Sequence, residues 1–162
     1  MTSVELRLEV RPAIEADLPV LRALYRDAVL GVGRTAYSAE QVDVWVNFSA
    51  EAGFEGFILS ADTYVALKQG AIVAFCGLAD EGHLASIYVG RAHQRCGIGL
   101  ALLNYVLARH PHPSSGRYYT EASEFSRPLF LRAGFHLVGI EKVQRNGVGF
   151  ERYLMERAPF ET

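Results

Sequence analysis

One short stretch near the middle of the chain constrains the fold more than any other. Leu84 to Val89 is a compact apolar run suited to a strand, and Gln94-Arg95-Cys96-Gly97-Ile98-Gly99 follows it. Leu100, Ala101, Leu102, Leu103, Tyr105, Val106 and Leu107 then form a well-patterned helix that ends at His110-Pro111-His112-Pro113. A strand, a glycine turn and an apolar helix in that order call for an α/β architecture with the helix packed back on the sheet. Gly97 and Gly99 let the N–H groups at the helix start face open space. With the positive end of the helix dipole, such groups suit a phosphate or pyrophosphate. Arg91 and Arg95 would add charge-assisted contacts from the same turn. No Gly-Lys-Ser/Thr follows, which excludes a P-loop. Ala101 and Leu102 stand where a dinucleotide fingerprint would place its third glycine.

The remaining elements follow from periodicity and turn chemistry. Glu5 to Arg11 alternates at period two and predicts a half-buried strand ended by Pro12. Leu18, Leu21, Leu24, Tyr25 and Ala28 predict a helix from about Ala16 to Val29, stopped by Gly31 and Gly33. Ser38-Ala39-Glu40-Gln41 is a capping box opening a second helix, whose stripe is Val42, Trp45, Val46 and Phe48. Ser49 to Ala61 is a short helix or a loop. Thr63 to Lys68 and Ala71 to Leu78 predict a hairpin turning at Gln69-Gly70. Tyr118 to Ala122 predicts a strand, and Phe125 to Ala133 a helix with Gly134 at its C′ position. Phe135 to Val143 and Val148 to Met155 close the chain as strands around Asn146-Gly147. The order is β-α-α-β-β-β-α-β-α-β-β, one mixed α/β domain over residues 1–162. A chain of 162 residues buries roughly 70% of the surface its unfolded form exposes, enough for a core without staples.

Composition excludes several function classes. The net charge of −2 argues against a dedicated nucleic-acid binder, which would carry a strong basic surplus. An 18-residue apolar run is missing from the sequence, so no membrane span is expected. The segment Thr2 to Arg7 alternates charged and apolar residues, unlike a signal h-region. Two cysteines, Cys76 and Cys96, are too few for a disulfide framework and point to a reduced, cytoplasmic setting. The charge is unevenly spread. Gly82 to Thr120 holds four arginines and no acid, whereas Met1 to Thr63 holds ten acids against five arginines. An anion is therefore expected at the first stretch and a cationic amine near the second.

Val89, Gln94-Arg95-Cys96-Gly97-Ile98-Gly99 and Leu102-Leu103 resemble the acetyl-CoA-binding motif of the GCN5-related N-acetyltransferases, written Q/R-x-x-G-x-G/A. Ser123 to Phe135 is similar to that family's later helix, N-x-x-A-R-x-F-Y-E-K-x-G-F, and the element order agrees over nearly the whole chain. Ser126-Arg127-Pro128 and Arg152-x-x-Met155 resemble a bacterial branch whose acceptors are mostly unassigned. The resemblance implies a single-domain mixed sheet in which a splayed strand pair holds acetyl-CoA. It places the pyrophosphate on backbone N–H groups of Arg95, Cys96, Gly97, Ile98, Gly99 and Leu100. The pantetheine arm would run along Ile87, Tyr88 and Val89. Gln94 and Arg95 would orient the turn and meet phosphate oxygens. Ser123 or Ser126 would bond the pantetheine amides, unless Ser123 is only a helix N-cap. Trp45, Phe48, Phe54 and Phe57 are core or interface residues, or walls of an acceptor pocket. A homodimer is usual for the family.

Acetyl transfer to an amine requires a base, oxyanion stabilisation and departure of a thiolate. The Val89 N–H is the expected oxyanion donor. His83 and Glu121 are the candidate bases, against a solvated strand start for His83 and a structural ion pair for Glu121. Phe130 stands among the cofactor-side residues where many family members carry a tyrosine acid. Tyr119, or Tyr118 or Tyr88, would replace it, unless water protonates the thiolate or it departs unassisted. Cys96 is expected to be a small packing residue, and His93 and His136 surface residues. His110 and His112 lack nearby acidic or thiol partners, so a metal site is not expected. The leading expectation is an N-acetyltransferase acting on a small-molecule, peptide or protein amine by direct attack in a ternary complex. The alternatives are an acyl-CoA-binding sensor that lost the chemistry, which Phe130 keeps open, and an unrelated nucleotide-binding domain.

Overall fold

The computed structural model describes residues 7–160, except the side chains of residues 32–34. The chain forms β1 (Glu9–Pro12), α1 (Leu18–Ala36), α2 (Ala39–Asn47), α3 (Gly53–Leu59), β2 (Asp62–Lys68), β3 (Ala71–Leu78) and β4 (Leu84–Val89). It continues through α4 (Ile98–Arg109), β5 (Tyr118–Ala122), α5 (Arg127–Arg132), β6 (His136–Arg145) and β7 (Val148–Arg157). Short 3₁₀ turns at Glu15–Asp17, Phe48–Ala50 and Arg91–His93 link these elements. The expected start of β1 at Glu5 lies outside the described residues.

The strands make two antiparallel sheets, β1-β2-β3-β4 and β5-β7-β6. They meet at a single parallel bridge between His83 and Tyr119, reinforced by Tyr119 N–H to Gly82 O (3.0 Å) and Thr120 Oγ1 to Leu84 O (2.9 Å). Beyond that junction β4 keeps to β3 while β5 turns to β7, so the two strands part. This is the splay that the family resemblance implies. Alternation assigns the two faces of the larger sheet. Ala74 and Cys76 pack under α4 with Leu102, Leu103 and Val106, whereas Val65 and Phe75 pack under α1–α3 with Leu21, Tyr25, Val29, Phe54 and Ile58.

Three expected boundaries are corrected. Gly31 does not stop the first helix, and α1 runs on to Ala36. A Cβ at Gly31 would lie 2.7 Å from Arg91 Cγ, so the glycine permits close approach of α1 to the turn after β4. The residues before Leu18 form a 3₁₀ turn in which the Asp17 carboxylate accepts from Ile14 N–H and two Arg11 nitrogens (2.8–2.9 Å). The helix expected over Phe125–Ala133 is only Arg127–Arg132, because Ser123 and Ser126 first close a tight turn. The open segment Ser49–Ala61 contains α3, which buries Phe54 and Ile58. The hairpin turns match expectation, with left-handed φ at Gln69-Gly70 and Asn146-Gly147.

Candidate active site

The end of β4 and the start of α4 frame the first part of the site. Gly97 adopts φ +82°, a left-handed conformation that lets the chain enter α4 with no side chain capping the helix. The N–H groups of the first turn are thus left to the opening in front of them. The turn itself is tied down. Gln94 Nε2 donates to Val89 O (3.0 Å) and Ala28 O (3.3 Å), and Arg91 N–H donates to Asp27 Oδ2 (2.7 Å). In front of it lies a cavity of about 640 Å³ lined by Ile87, Tyr88, Val89, Gln94, Arg95, Gly97, Gly99, Leu100, Ser123 and Ser126, among others. Ile98 and Cys96 do not line it. Ile98 is buried in the core, and Cys96 is exposed, not packed as expected, because the loop carries it outward.

Backbone direction along β4 adds to this cavity. Gly90 N–H donates to Val73 O (2.8 Å), and the register pairs Tyr88 with Phe75 and Ser86 with Gly77. By antiparallel alternation the N–H groups of Ser86 and Tyr88 point to β3, and those of Ile87 and Val89 point into the splay.

A second cavity, about 320 Å³, lies on the other side of a wall that includes Trp45, Ile87, Tyr88, Ser123 and Ser126; these five residues line both cavities. Tyr25, Tyr37, Phe48, Phe57 and Phe150 add aromatic surface, and Glu121, Glu151, Arg145 and Arg152 are its charged lining. Trp45, Phe48 and Phe57 are pocket walls, while Phe54 is core. The β6–β7 hairpin covers this cavity by reaching to α2, where Gln41 Nε2 donates to Gly149 O (2.9 Å).

The two candidate bases meet. His83 Nε2 lies 3.0 and 3.1 Å from the Glu121 oxygens, and both side chains are half-buried. The hydrogen bond to Glu121 raises the imidazole above its ordinary value. The same bond, aided by the charges of Arg152 and Arg145, holds the carboxylate below its own. Glu121 lines the second cavity, and His83 stands behind it. His83 is therefore not a solvated strand start, and Glu121 stands in the ion pair that its structural alternative describes.

Of the three tyrosines, Tyr119 stacks on His83 (5.0 Å) beneath Arg117 and lines neither cavity. Tyr118 is buried with its hydroxyl on Leu107 O and His110 O. Only Tyr88 reaches the wall between the cavities, where its hydroxyl accepts from Trp45 Nε1 (3.3 Å) and burial raises its pKa. Phe130 is buried against Phe135 and borders the second cavity, not the one in front of the glycine turn. Ser123 and Ser126 bond each other reciprocally, each hydroxyl accepting from the other's N–H, so Ser123 braces the turn before α5. Sequence reasoning assigned no site role to Tyr25, Tyr37, Arg145, Phe150 or Arg152, whose shared cavity is made by long-range packing. His93 is half-buried and His136 exposed, and His110 bonds Tyr64 (3.1 Å). Among the described residues no cluster of three His, Cys, Asp or Glu is placed to hold a metal ion. Among the same residues no helix is long and apolar enough to cross a membrane.

Comparison with known proteins matches this architecture. The sequence model of the family described as "Acetyltransferase (GNAT) domain" matches residues 34–157. The uncharacterized N-acetyltransferase YafP of Escherichia coli is 24% identical over 152 residues, covering 94% of this chain and 97% of that protein. The peptidyl-lysine N-acetyltransferase YiaC of Escherichia coli is 29% identical over 84 residues, 52% of this chain and 56% of that protein. A GCN5-related N-acetyltransferase from Rhodopseudomonas palustris superposes with a TM-score of 0.91 at 21% identity, over 98% of this chain and 99% of that one. The PaiA N-acetyltransferase of Thermoplasma acidophilum, solved with coenzyme A, superposes at 0.74 and 14% identity, over 94% and 99%. The chain belongs to the GNAT acetyltransferase family of acetyl-CoA-dependent acyltransferases.

Proposed function

We propose that this enzyme transfers acetyl from acetyl-CoA to a primary amine by direct attack in a ternary complex, in the cytoplasm. The observation that carries the reading is the pair of cavities sharing the wall at Ile87, Tyr88 and Ser123, one beside an uncapped helix start and one beside a carboxylate. The uncapped N–H groups of α4, with Arg95, fit a pyrophosphate. The Ile87 and Val89 edge fits the pantetheine amides as an added strand. Acetyl-CoA, when bound, supplies the thioester.

This chain's residues then do four things. Val89 N–H donates to the carbonyl oxygen as negative charge builds there. Glu121 receives the acceptor nitrogen and takes its proton, with His83 behind it sharing the charge. Tyr88, the one of Tyr88, Tyr118 and Tyr119 that lines both cavities, gives its proton to the leaving thiolate. The aromatic wall excludes water. Thiol release in the presence of acetyl-CoA and a panel of small amines, peptides and protein lysines tests the reading. Acceptor-dependent release is expected. Tight acetyl-CoA binding without release over any acceptor would favour the sensor reading.

A further inference from the structure

The acidic helices predict a cationic acceptor, yet the acids of α2 and α3, Glu40, Asp43 and Glu55, are not in the cavity lining. The charges that are there belong to the other sheet. Register places Glu121 opposite Leu154, Glu141 opposite Arg152, Val143 opposite Phe150 and Arg145 opposite Val148, all on one face of β5-β7-β6. Along that face Glu121 is engaged by His83, and Arg152 is ion-paired with Glu141. Arg145 has no hydrogen-bond or ion-pair partner among the described residues, though its charge acts on Tyr25, Tyr88 and Glu121. An unpaired guanidinium on the lining of an aromatic cavity has a hydrogen-bonding fork available to a ligand. The hydroxyls of Tyr25 and Tyr88 share its surroundings.

Resting on the acetyltransferase reading above, we propose that Arg145 selects acceptors carrying an anionic group, a carboxylate above all, at the end remote from the amine that Glu121 receives. The spacing argues for an elongated molecule. Glu121 on β5 and Arg145 on β6 flank β7 opposite Leu154 and Val148, so their backbones are offset by about 20 Å along the strands and about 10 Å across them. Both side chains nevertheless line one cavity and the Arg145 charge acts on the Glu121 carboxylate, which puts their heads within about a Debye length, about 10 Å, a span that one ω-amino acid bridges. The aromatic lining between them favours a flat or apolar body. The acceptor class is thus an aryl or alkyl ω-amino acid.

A matched set tests this without knowledge of the natural acceptor: 4-(aminomethyl)benzoate, 4-(aminomethyl)benzamide and benzylamine, with 6-aminohexanoate and hexylamine as the alkyl pair. Thiol release gives kcat/KM, and calorimetry in the absence of acetyl-CoA gives binding. In the wild type each acid should exceed its amide or plain amine by at least about tenfold at low salt, the scale of one charge-assisted hydrogen bond. In Arg145→Gln the ratio should collapse towards one, and Arg145→Lys should restore part of it. Arg145 is exposed, so these variants keep the fold. Equal rates for acid and amide in the wild type, or an unchanged ratio in Arg145→Gln, would overturn the inference while the acetyltransferase reading stands. If no amine elicits thiol release, that reading fails, and the binding arm decides the inference alone. Arg145-dependent binding of the acids supports it, and absence of such binding overturns it.

Discussion

The His83–Glu121 pair joins two residues that sequence could offer only as alternatives. Its chemistry has a sign that can be measured. In the proposed mechanism the pair accepts a proton and is disabled once His83 is protonated, so kcat/KM should fall as pH drops through the raised imidazole value. Glu121→Gln removes the largest cause of that rise. Its plateau should fall by about 10²–10⁴-fold, and its acid limb should move down towards the ordinary 6.5. A carboxylate that only raises His83 would move the limb with little loss of the plateau. At the same scale, Tyr88→Phe should reduce kcat more than it raises KM, if the phenol acts on the leaving thiolate; unchanged kcat in stopped-flow thiol detection would return that role to water. Single residues also mark where sequence reasoning stopped. Arg145 and Phe150 carry no local pattern that points to a cavity, because only the hairpin's reach to α2 places them on one. Cys96 is exposed where a packing residue is expected, because a turn's outward side cannot be read from its composition.

Elements were far more legible, since their signals are local. The Ser38-Gln41 box is present as expected, with Ser38 Oγ accepting from Gln41 N–H (3.1 Å) and Gln41 Oε1 from Ser38 N–H (2.8 Å). Ser38→Ala should cost about 1 kcal/mol, read as a lower denaturant midpoint with an unchanged slope. The box also sets the angle of a helix that supplies Trp45, so cofactor affinity should be checked in the same variant. Gly97→Ala should cost about 1–2 kcal/mol for its left-handed φ, and it should weaken coenzyme A binding by calorimetry because the turn must relax. Gly31 shows where local reasoning fails. A glycine that ends a helix and one that lets another chain segment press against a helix look alike in sequence. The choice is made by Arg91, sixty residues away.

For the whole molecule, the paired charges define a stability window. His83 has a raised value, so its contribution is complete below the unfolded value of about 6.5 and is lost as pH rises through the folded one. Glu121 has a lowered value, so its contribution is present above about 4.5 and is lost as pH falls through the folded one. Both act together between those limits. Glu121→Gln should therefore narrow its stability deficit on either side of pH 4.5–6.5 in thermal melts. The gross architecture, two sheets with helices on both faces, was legible because strand, turn and helix signals agree with one another along the chain. The division of charge was not. The acids of Met1–Thr63 carry no sign in the sequence of which way they face, and the cavity draws its charges from β5, β6 and β7 instead.

The alternating N–H directions along β4 give one strand two time scales. The amides of Ser86 and Tyr88 are held by β3, deep in the sheet, and can exchange their protons with solvent only when that sheet opens. The neighbouring amides of Ile87 and Val89 face the gap and can exchange without any unfolding. Deuterium uptake over Ser86, Ile87, Tyr88 and Val89 should therefore alternate slow and fast in the free protein. A bound pantetheine arm would erase the alternation by slowing only the fast positions. The strand would thus serve as its own occupancy gauge.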